Sequence, residues 1–150
     1  MYVKKIKYTN YNGEERERRF YFNLSKAEVL NMELSTNGGY ENYINRIVET
    51  RDQHELIRMF KELIKMSYGV KSDDGEMFIK NDKVFSEFEQ SEAYSEFYME
   101  LVTNTESAIE FINGIMPQAL MAEVQKDPQY KEKIDEYKKL AVNAVVKPVQ

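Results

Sequence analysis

Few side chains in this sequence have the type and spacing that chemistry requires. His54 is the only histidine among the 150 residues, and there is no cysteine. A zinc site made of thiolates or of paired histidines therefore has no ligands here, and a cysteine nucleophile is excluded as well. We expect His54 to lie in solvent near the start of a helix. We also expect the protein to hold no metal and no organic cofactor.

Acidic residues could form two kinds of site, a calcium loop or a catalytic pair of carboxylates. The segment Asp73-Asp74-Gly75-Glu76 has the composition of a calcium loop, but it lacks the alternating ligand spacing and the bidentate glutamate of one. We interpret it as a hairpin turn. Glutamates elsewhere could supply a carboxylate pair for a hydrolase, yet most occupy the polar positions of amphipathic helices. We therefore predict that the protein is not an enzyme and has no catalytic, cofactor-binding or metal-binding residue.

The element nearest the N-terminus is predicted to be a β-hairpin. Polar and apolar residues alternate over residues 3–9 and 16–22, and the Asn12-Gly13 pair between them favours a tight turn. One face of this hairpin carries its large apolar side chains: Tyr2, Ile6, Tyr8, Phe20 and Phe22. Because such a face must be buried, we expect helices to cover it.

Helical signals follow over most of the remaining chain. Ser25 and Glu28 form a capping box that predicts a helix start, and Gly38-Gly39 predicts its end. The further expected elements are a helix over 40–50, a core helix from Asp52 to Tyr68-Gly69, a small second hairpin within 70–80, helical periodicity over 82–102 with a pause at Gln90-Ser91, a helix capped by Thr105, and a polar helix over 129–145. The predicted fold class is α+β and mostly α-helical, with an N-terminal antiparallel β-hairpin packed on five or six helices.

Charge is distributed unevenly along the chain. The net charge of −5 argues against a general nucleic-acid binder. Residues 1–26 carry seven basic and three acidic side chains, whereas residues 84–125 carry eight glutamates and no lysine or arginine. This polarity favours steering of partners, or of further copies in a homo-oligomer, by complementary potentials. Two alternatives are that the two regions neutralise one another within a monomer, and that the basic hairpin binds nucleic acid with Tyr8 and Tyr11 stacking on bases, as in a small regulator.

Methionine is abundant, with eight residues in the chain. Flexible thioethers suit surfaces that accept apolar helices, although core filling is an ordinary role for them as well. From the methionines and aromatic residues of the later helices we select five predicted partner-binding residues: Met99, Met116, Met121, Phe97 and Phe111. No apolar run reaches the roughly 18 residues of a membrane span, so we expect no membrane contact.

Five segments between residues 2 and 117 occur in a recognisable order and spacing. They are FYFNLSKAE at 20–28, STNGG at 35–39, SYGVKSDDG at 67–75 with FIK at 78–80, SEAYS at 91–95, and FING at 111–114. In these segments the chain resembles the tail assembly chaperones of long-tailed phages and prophages of Gram-positive bacteria. The resemblance implies one chaperone-like domain over residues 1–117, and we interpret residues 118–150 as a polar helical extension.

The resemblance also implies a function. Such chaperones are non-enzymatic proteins of virion assembly that coat the long helical tape measure protein and help tail tube subunits polymerise around it. They act in the host cytoplasm and are not part of the mature virion. The expected partners are therefore the tape measure protein and the tail tube protein.

Overall fold

The structure is a computed structural model that describes residues 1–35 and 53–117, together with residues 49 and 132. The backbone divides into two compact units. The first contains Met1–Leu24 and Asp52–Met116, and the second contains Ser25–Arg51 and Pro117–Gln150. Two predicted helices, over 40–50 and over 129–145, lie outside the described residues except for residues 49 and 132. The predicted cap at Asp52 also lies outside them.

The predicted N-terminal hairpin is confirmed. Strand β1 (Tyr2–Thr9) pairs antiparallel with β2 (Glu15–Phe22) along its whole length, from the Tyr2–Phe22 pair to the Thr9–Glu15 pair. Asn10 organises the turn, since its side-chain oxygen accepts hydrogen bonds from the backbone N–H groups of Asn12 and Glu14 at 3.0 and 2.9 Å. Gly13 has a φ of 79°, a left-handed conformation that glycine adopts without steric cost.

The second hairpin is also confirmed, and it extends the first into one sheet. Strand β3 (Tyr68–Lys71) pairs with β4 (Phe78–Ile79), and β3 pairs with the end of β2 through Tyr21–Gly69 and Phe22–Tyr68. The four strands are ordered β1-β2-β3-β4 and are all antiparallel. The sequence predicted both hairpins but not that β2 and β3 pair to join them in one sheet.

The capping box at the start of the first helix is confirmed in the second unit. Helix α1 spans Lys26–Ser35. The Ser25 hydroxyl accepts a hydrogen bond from the Glu28 N–H at 3.1 Å, and the Glu28 carboxylate accepts one from the Ser25 N–H at 3.0 Å. Two N–H groups that the helix leaves unpaired are thus satisfied.

The first unit contains four described helices: α2 (Gln53–Ser67), α3 (Asp82–Glu89), α4 (Glu92–Thr103) and α5 (Thr105–Ile115). The pause predicted at Gln90-Ser91 is a real break, because Ser91 caps α4 by accepting from the Tyr94 N–H at 3.4 Å. The predicted cap at Thr105 is wrong by one residue. Asn104 caps α5 instead, since its side-chain oxygen accepts a hydrogen bond from the Ser107 N–H at 3.2 Å.

Aromatic rings fill the space between the sheet and the helices of the first unit. Phe22 is fully buried, and its ring centroid lies 4.9 Å from that of Phe97 and 5.5 Å from that of Phe111. Tyr68 and Phe88 stack at 4.2 Å beside them. The predicted fold class is confirmed as α+β and mostly helical. In the part of the chain that the structure describes, no helix is long and apolar enough to cross a membrane.

Backbone and side-chain bonds tie the end of β2 to the helices of the first unit. Asn23 donates its N–H to the carbonyl of Ser67 at 2.8 Å, and Leu24 donates to that of Ile115 at 3.0 Å. The Lys80 ammonium donates to the carbonyls of Asn23 at 2.6 Å and Met66 at 2.9 Å. Lys80 therefore joins the end of β2 to the last turn of α2, where a positive charge also complements the helix dipole.

Candidate partner-binding surfaces

The five predicted partner-binding residues lie in different environments. Phe97 and Phe111 are buried, with ring centroids 5.3 Å apart in the aromatic core. Met99 is 56% exposed on α4, and Met116 is partly exposed just after α5. Met121 lies outside the described residues. Met99 is thus the member of the set that a partner can reach most directly, and the assignment of the set remains a prediction.

The outward surfaces of α4 and α5 are acidic and carry isolated apolar side chains. Met99 on α4 and Ile109 on α5 are both about half exposed, at 56% and 48%. Glu96, Glu106 and Glu110 are exposed on the same two helices. Each of the two helices thus exposes one apolar side chain together with carboxylates.

Part of the charge polarity is neutralised inside the first unit. The Lys4 ammonium lies 2.8 Å from the Glu100 carboxylate, which joins the basic hairpin to the acidic α4. Lys61 pairs with Glu89 at 3.5 Å. Within residues 1–35 and 53–117, however, no basic side chain lies within 4.0 Å of Glu96, Glu106 or Glu110. Internal neutralisation is therefore incomplete.

Two half-buried tyrosines lie on or beside the acidic helices. Burial raises the pKa of Tyr2 to about 12, and the nearby Glu100 and Glu110 carboxylates add to the effect. The pKa of Tyr94 is likewise raised to about 12, first by burial and then by Glu89 and Tyr98. Both phenols are therefore held in their neutral form by the fold.

These raised pKa values predict a loss of stability in alkali. Below pH 10 both tyrosines are protonated in the folded and in the unfolded chain. Above pH 10 the unfolded chain releases these protons while the folded chain keeps them up to about pH 12. The free energy of unfolding should therefore fall as the pH rises from 10 to 12.

Urea unfolding followed by circular dichroism across this pH range measures the effect. The double variant Tyr2→Phe with Tyr94→Phe should lose less stability than the wild type over the same interval. It lacks the two phenol groups whose protons the unfolded chain releases more readily than the folded chain. An equal loss in both proteins would show that these phenols do not contribute.

His54 and the acidic segment 73–76, the residues considered for metal or catalytic chemistry, have structural positions that need no such role. His54 is exposed on α2. The Asp74 carboxylate accepts hydrogen bonds from the Ser72 hydroxyl at 2.7 Å and the Glu76 N–H at 3.1 Å, and the Ser72 bond above all lowers its pKa. This arrangement, with Gly75 at a φ of 75°, confirms the hairpin turn. The described residues contain no group of three or more His, Asp or Glu side chains placed to hold a metal ion.

Comparison with known proteins decides the family. A family model described as phage tail assembly chaperone matches residues 1–147. The chain belongs to the phage tail assembly chaperones. This confirms the resemblance found in the five sequence segments. No curated protein and no solved structure matches the chain of this chaperone.

The sequence did not predict two features of this chaperone's surface, the exposure of Ile109 and the side chains on the outer face of the sheet. Ile109 belongs to the same apolar pattern as the buried Ile112 and Ile115 but is 48% exposed, because α5 buries only the stripe that meets the aromatic core. Tyr21 and Phe78 lie on the face of the sheet opposite the aromatic core of the first unit, in the region where β3 and β4 extend the first hairpin. The cation–π geometry of Lys71, 4.3 Å above the Tyr21 ring, has no signal in sequence spacing.

Proposed function

We propose that the protein binds the tape measure protein during phage tail assembly and promotes polymerisation of tail tube protein around it. It does so in the host cytoplasm, without catalysing a reaction, and is absent from the mature virion. Membership of the tail assembly chaperone family supports this function. The structural observation that carries it is the exposed Met99 on the acidic outer surface of α4.

The chemistry of this surface suits the shielding of apolar helices. A methionine side chain has three rotatable bonds and a polarisable sulfur, so it can adapt to helices of differing sequence. Exposed carboxylates such as Glu96 on the same helix keep the free chaperone hydrated and oppose non-specific association. Met116, partly exposed beyond α5, extends the proposed surface, and Met121 is a further proposed contact.

The proposal assigns different roles to two parts of the chain. Residues 1–117 form the chaperone domain that makes these contacts, and residues 118–150 form a polar helical extension to it. Phe97 and Phe111 support the surface from the core by fixing the positions of α4 and α5. They would reach a partner directly only if these helices separated.

Co-expression of the tape measure protein with and without this chain tests the proposal. We expect the tape measure protein to be soluble only when the chain is present. Met99→Glu should lower the soluble fraction, since burying a carboxylate in an apolar contact costs several kcal/mol and about 1.4 kcal/mol already lowers affinity tenfold.

Met77→Glu is the matched control. Met77 is 61% exposed between β3 and β4, on a different element from Met99, and its replacement should leave the soluble fraction unchanged. Circular dichroism of both variants checks folding. Equal solubility of the tape measure protein with and without the chain would contradict the proposal, as would equal effects of the two substitutions.

The nucleic-acid regulator has less structural support. Tyr11 is exposed at the hairpin tip, but its hydroxyl interacts with the Glu92 carboxylate, which raises the pKa of Tyr11. Tyr8 is half-buried with its ring 6.4 Å from that of Phe20. Neither ring stands free beside a run of cations, which is what stacking on single strands requires.

A further inference from the structure

One side of β2 has no neighbouring strand over most of its length. On its other side β2 pairs with β1 from Glu15 to Phe22, whereas β3 pairs only with Tyr21 and Phe22. Residues 15–20 therefore form an unpaired edge, which we call the open β2 edge. An exposed strand edge of this kind can accept a further extended chain through backbone hydrogen bonds.

The ladder with β1 shows which backbone groups of the open β2 edge are free to pair. The Asn10 N–H donates to the Glu14 carbonyl at 2.9 Å, so these two residues form a hydrogen-bonded pair in the register of the hairpin. Such pairs alternate with pairs whose N–H and C=O groups point outward. Glu17 and Arg19 are of the second kind, and both are exposed. Their backbone groups therefore point away from β1.

A cleft lies where the pairing of β2 with β3 stops. Beyond the Tyr21–Gly69 pair the two strands no longer pair, and a cavity of about 210 Å³ lies between them. Its charged lining consists of three cations and no carboxylate: Arg18, Arg19 and Lys71. Lys71 belongs to β3, so cations from both strands line the cleft.

The two arginines of the cleft have no ionic partner among the described residues. Within that part of the chain no carboxylate lies within 4.0 Å of Arg18 or Arg19. Glu17, the nearest acidic residue on β2, already pairs with Lys5 at 3.2 Å. The positive charge of the open β2 edge is thus concentrated at the end that adjoins the cleft.

We propose that the open β2 edge binds an extended acidic segment of a partner protein. The segment pairs with Glu17 and Arg19 through its backbone and places two consecutive carboxylates at the cleft. Successive side chains of a strand point to opposite faces of a sheet. One carboxylate therefore approaches Arg18, and the next approaches Arg19 and Lys71.

The last pair of cations shares one face of the sheet. Arg19 and Tyr21 are two positions apart on β2, so their side chains point to the same face. The Lys71 ammonium lies 4.3 Å from the centre of the Tyr21 ring. A single carboxylate on this face can thus be attracted by two cations.

The backbone chemistry favours a peptide over a nucleic acid as the occupant. A peptide strand supplies N–H donors as well as carbonyl acceptors, and the open β2 edge needs both. Phosphate oxygens donate no hydrogen bond, so they would leave the outward carbonyls of Glu17 and Arg19 without a donor. The net charge of −5 also repels a long polyanion.

The acidic segment must come from another protein. The glutamates of this chain between residues 84 and 115 all lie in α3, α4 and α5, so they do not form an extended strand.

The outer edge of β1 fits an acidic segment less well. A cavity of about 360 Å³ beside that edge has a balanced lining of three lysines and three glutamates: Lys4, Lys5, Lys7, Glu17, Glu96 and Glu100. Because these charges cancel, this cavity has no preference for an anionic chain.

Amide hydrogen exchange of the full chain with a synthetic peptide tests the proposal. The probe is an eight-residue peptide in which two consecutive glutamates are flanked by valine and threonine. In about 10 mM salt, where screening is weak, excess peptide should slow exchange at the Glu17 and Arg19 N–H groups by about tenfold or more. The N–H groups of Arg16 and Arg18 face β1 in the ladder and should change much less.

Two altered peptides separate backbone pairing from charge. Methylation of every backbone nitrogen keeps both carboxylates but removes the donors, so it should abolish the protection of Glu17 and Arg19. Replacement of both glutamates by glutamine keeps the donors and should weaken binding by about tenfold, because the attraction to the cleft cations is lost.

A charge reversal in the protein tests the cleft itself. Arg19→Glu should raise the Kd of the peptide, measured by fluorescence anisotropy, by about tenfold, because an attraction becomes a repulsion. Lys83→Glu is the matched control. It makes the same change of net charge at an exposed position of α3 that does not line the cleft, so it should leave the Kd unchanged. Circular dichroism checks the folding of both variants.

Three results would overturn the proposal. The first is unchanged exchange at Glu17 and Arg19 in excess peptide, and the second is equal binding of the methylated and unmethylated peptides. The third is protection of these two amides by a thymidine oligonucleotide but not by the peptide. None of these experiments contains tape measure protein, so their outcome is independent of the proposed function.

Discussion

Replacing Phe22 by alanine should lower the free energy of unfolding by about 3–5 kcal/mol, the range for a fully buried phenylalanine. Phe22 is the ring most central to the first unit. Its centroid lies between 4.9 and 6.0 Å from those of Tyr2, Tyr68, Phe88, Phe97 and Phe111. The alanine variant loses these contacts together, and five surrounding rings held by sheet and helices cannot all move inward to fill the cavity. Urea unfolding followed by circular dichroism measures the loss.

Two further substitutions calibrate the result. Phe22→Leu keeps most of the apolar volume and should cost clearly less than Phe22→Ala. Met77→Ala removes a side chain that is 61% exposed in the second hairpin and should change stability by no more than about 0.5 kcal/mol. An alanine variant at position 22 as stable as the Met77 variant would mean that Phe22 is not at the centre of the core.

The second large effect is expected at Lys80. Lys80→Met keeps most of the side-chain length but removes the ammonium that donates to the Asn23 carbonyl at 2.6 Å and the Met66 carbonyl at 2.9 Å. Hydrogen bonds to charged groups contribute about 1.5–3 kcal/mol. We expect a loss in this range, because the carbonyls lose a donor between the end of β2 and the last turn of α2.

Lys83→Met is the control for the charge, since Lys83 is exposed on α3. It removes the same positive charge and should leave the urea midpoint almost unchanged. Hydrogen exchange adds a positional readout, because loss of the bridge should speed exchange at the Asn23 N–H, which bonds to Ser67 at 2.8 Å. If Lys80→Met and Lys83→Met have the same midpoint, the bridge does not stabilise the fold.

The stability of this core matters for the proposed function. A chaperone that shields apolar helices must keep its own aromatic side chains buried, so that recognition depends on the exposed residues. Phe97 and Met99 are only two positions apart on α4, yet the first is 1% and the second 56% exposed. A rigid core therefore separates the residues that hold the fold from those that can meet a partner.

The local elements of this protein could be predicted from its sequence. The first hairpin follows from alternation around a turn that needs a left-handed glycine, and the α1 cap follows from Ser25 and Glu28 at the spacing that satisfies each other's N–H groups. The sequence also predicted a pause in helical periodicity at Gln90-Ser91, and the structure shows that it is a break, since Ser91 caps the helix that follows. Each of these features depends on contacts within about five residues, and the order of the five short segments was enough to predict the family.

Only the tertiary structure decided which surfaces remain open. The pairing of Tyr21 with Gly69 joins strands 48 positions apart, and no local pattern encodes it. That pairing brings Lys71 over the Tyr21 ring and sets Gly69, which the Phe78 ring covers, opposite Tyr21. On the helices, periodicity marks Ile109, Ile112 and Ile115 alike, but the aromatic core buries the last two and leaves Ile109 exposed. Burial is a property of what packs against a residue, and the packing partners come from distant parts of the chain.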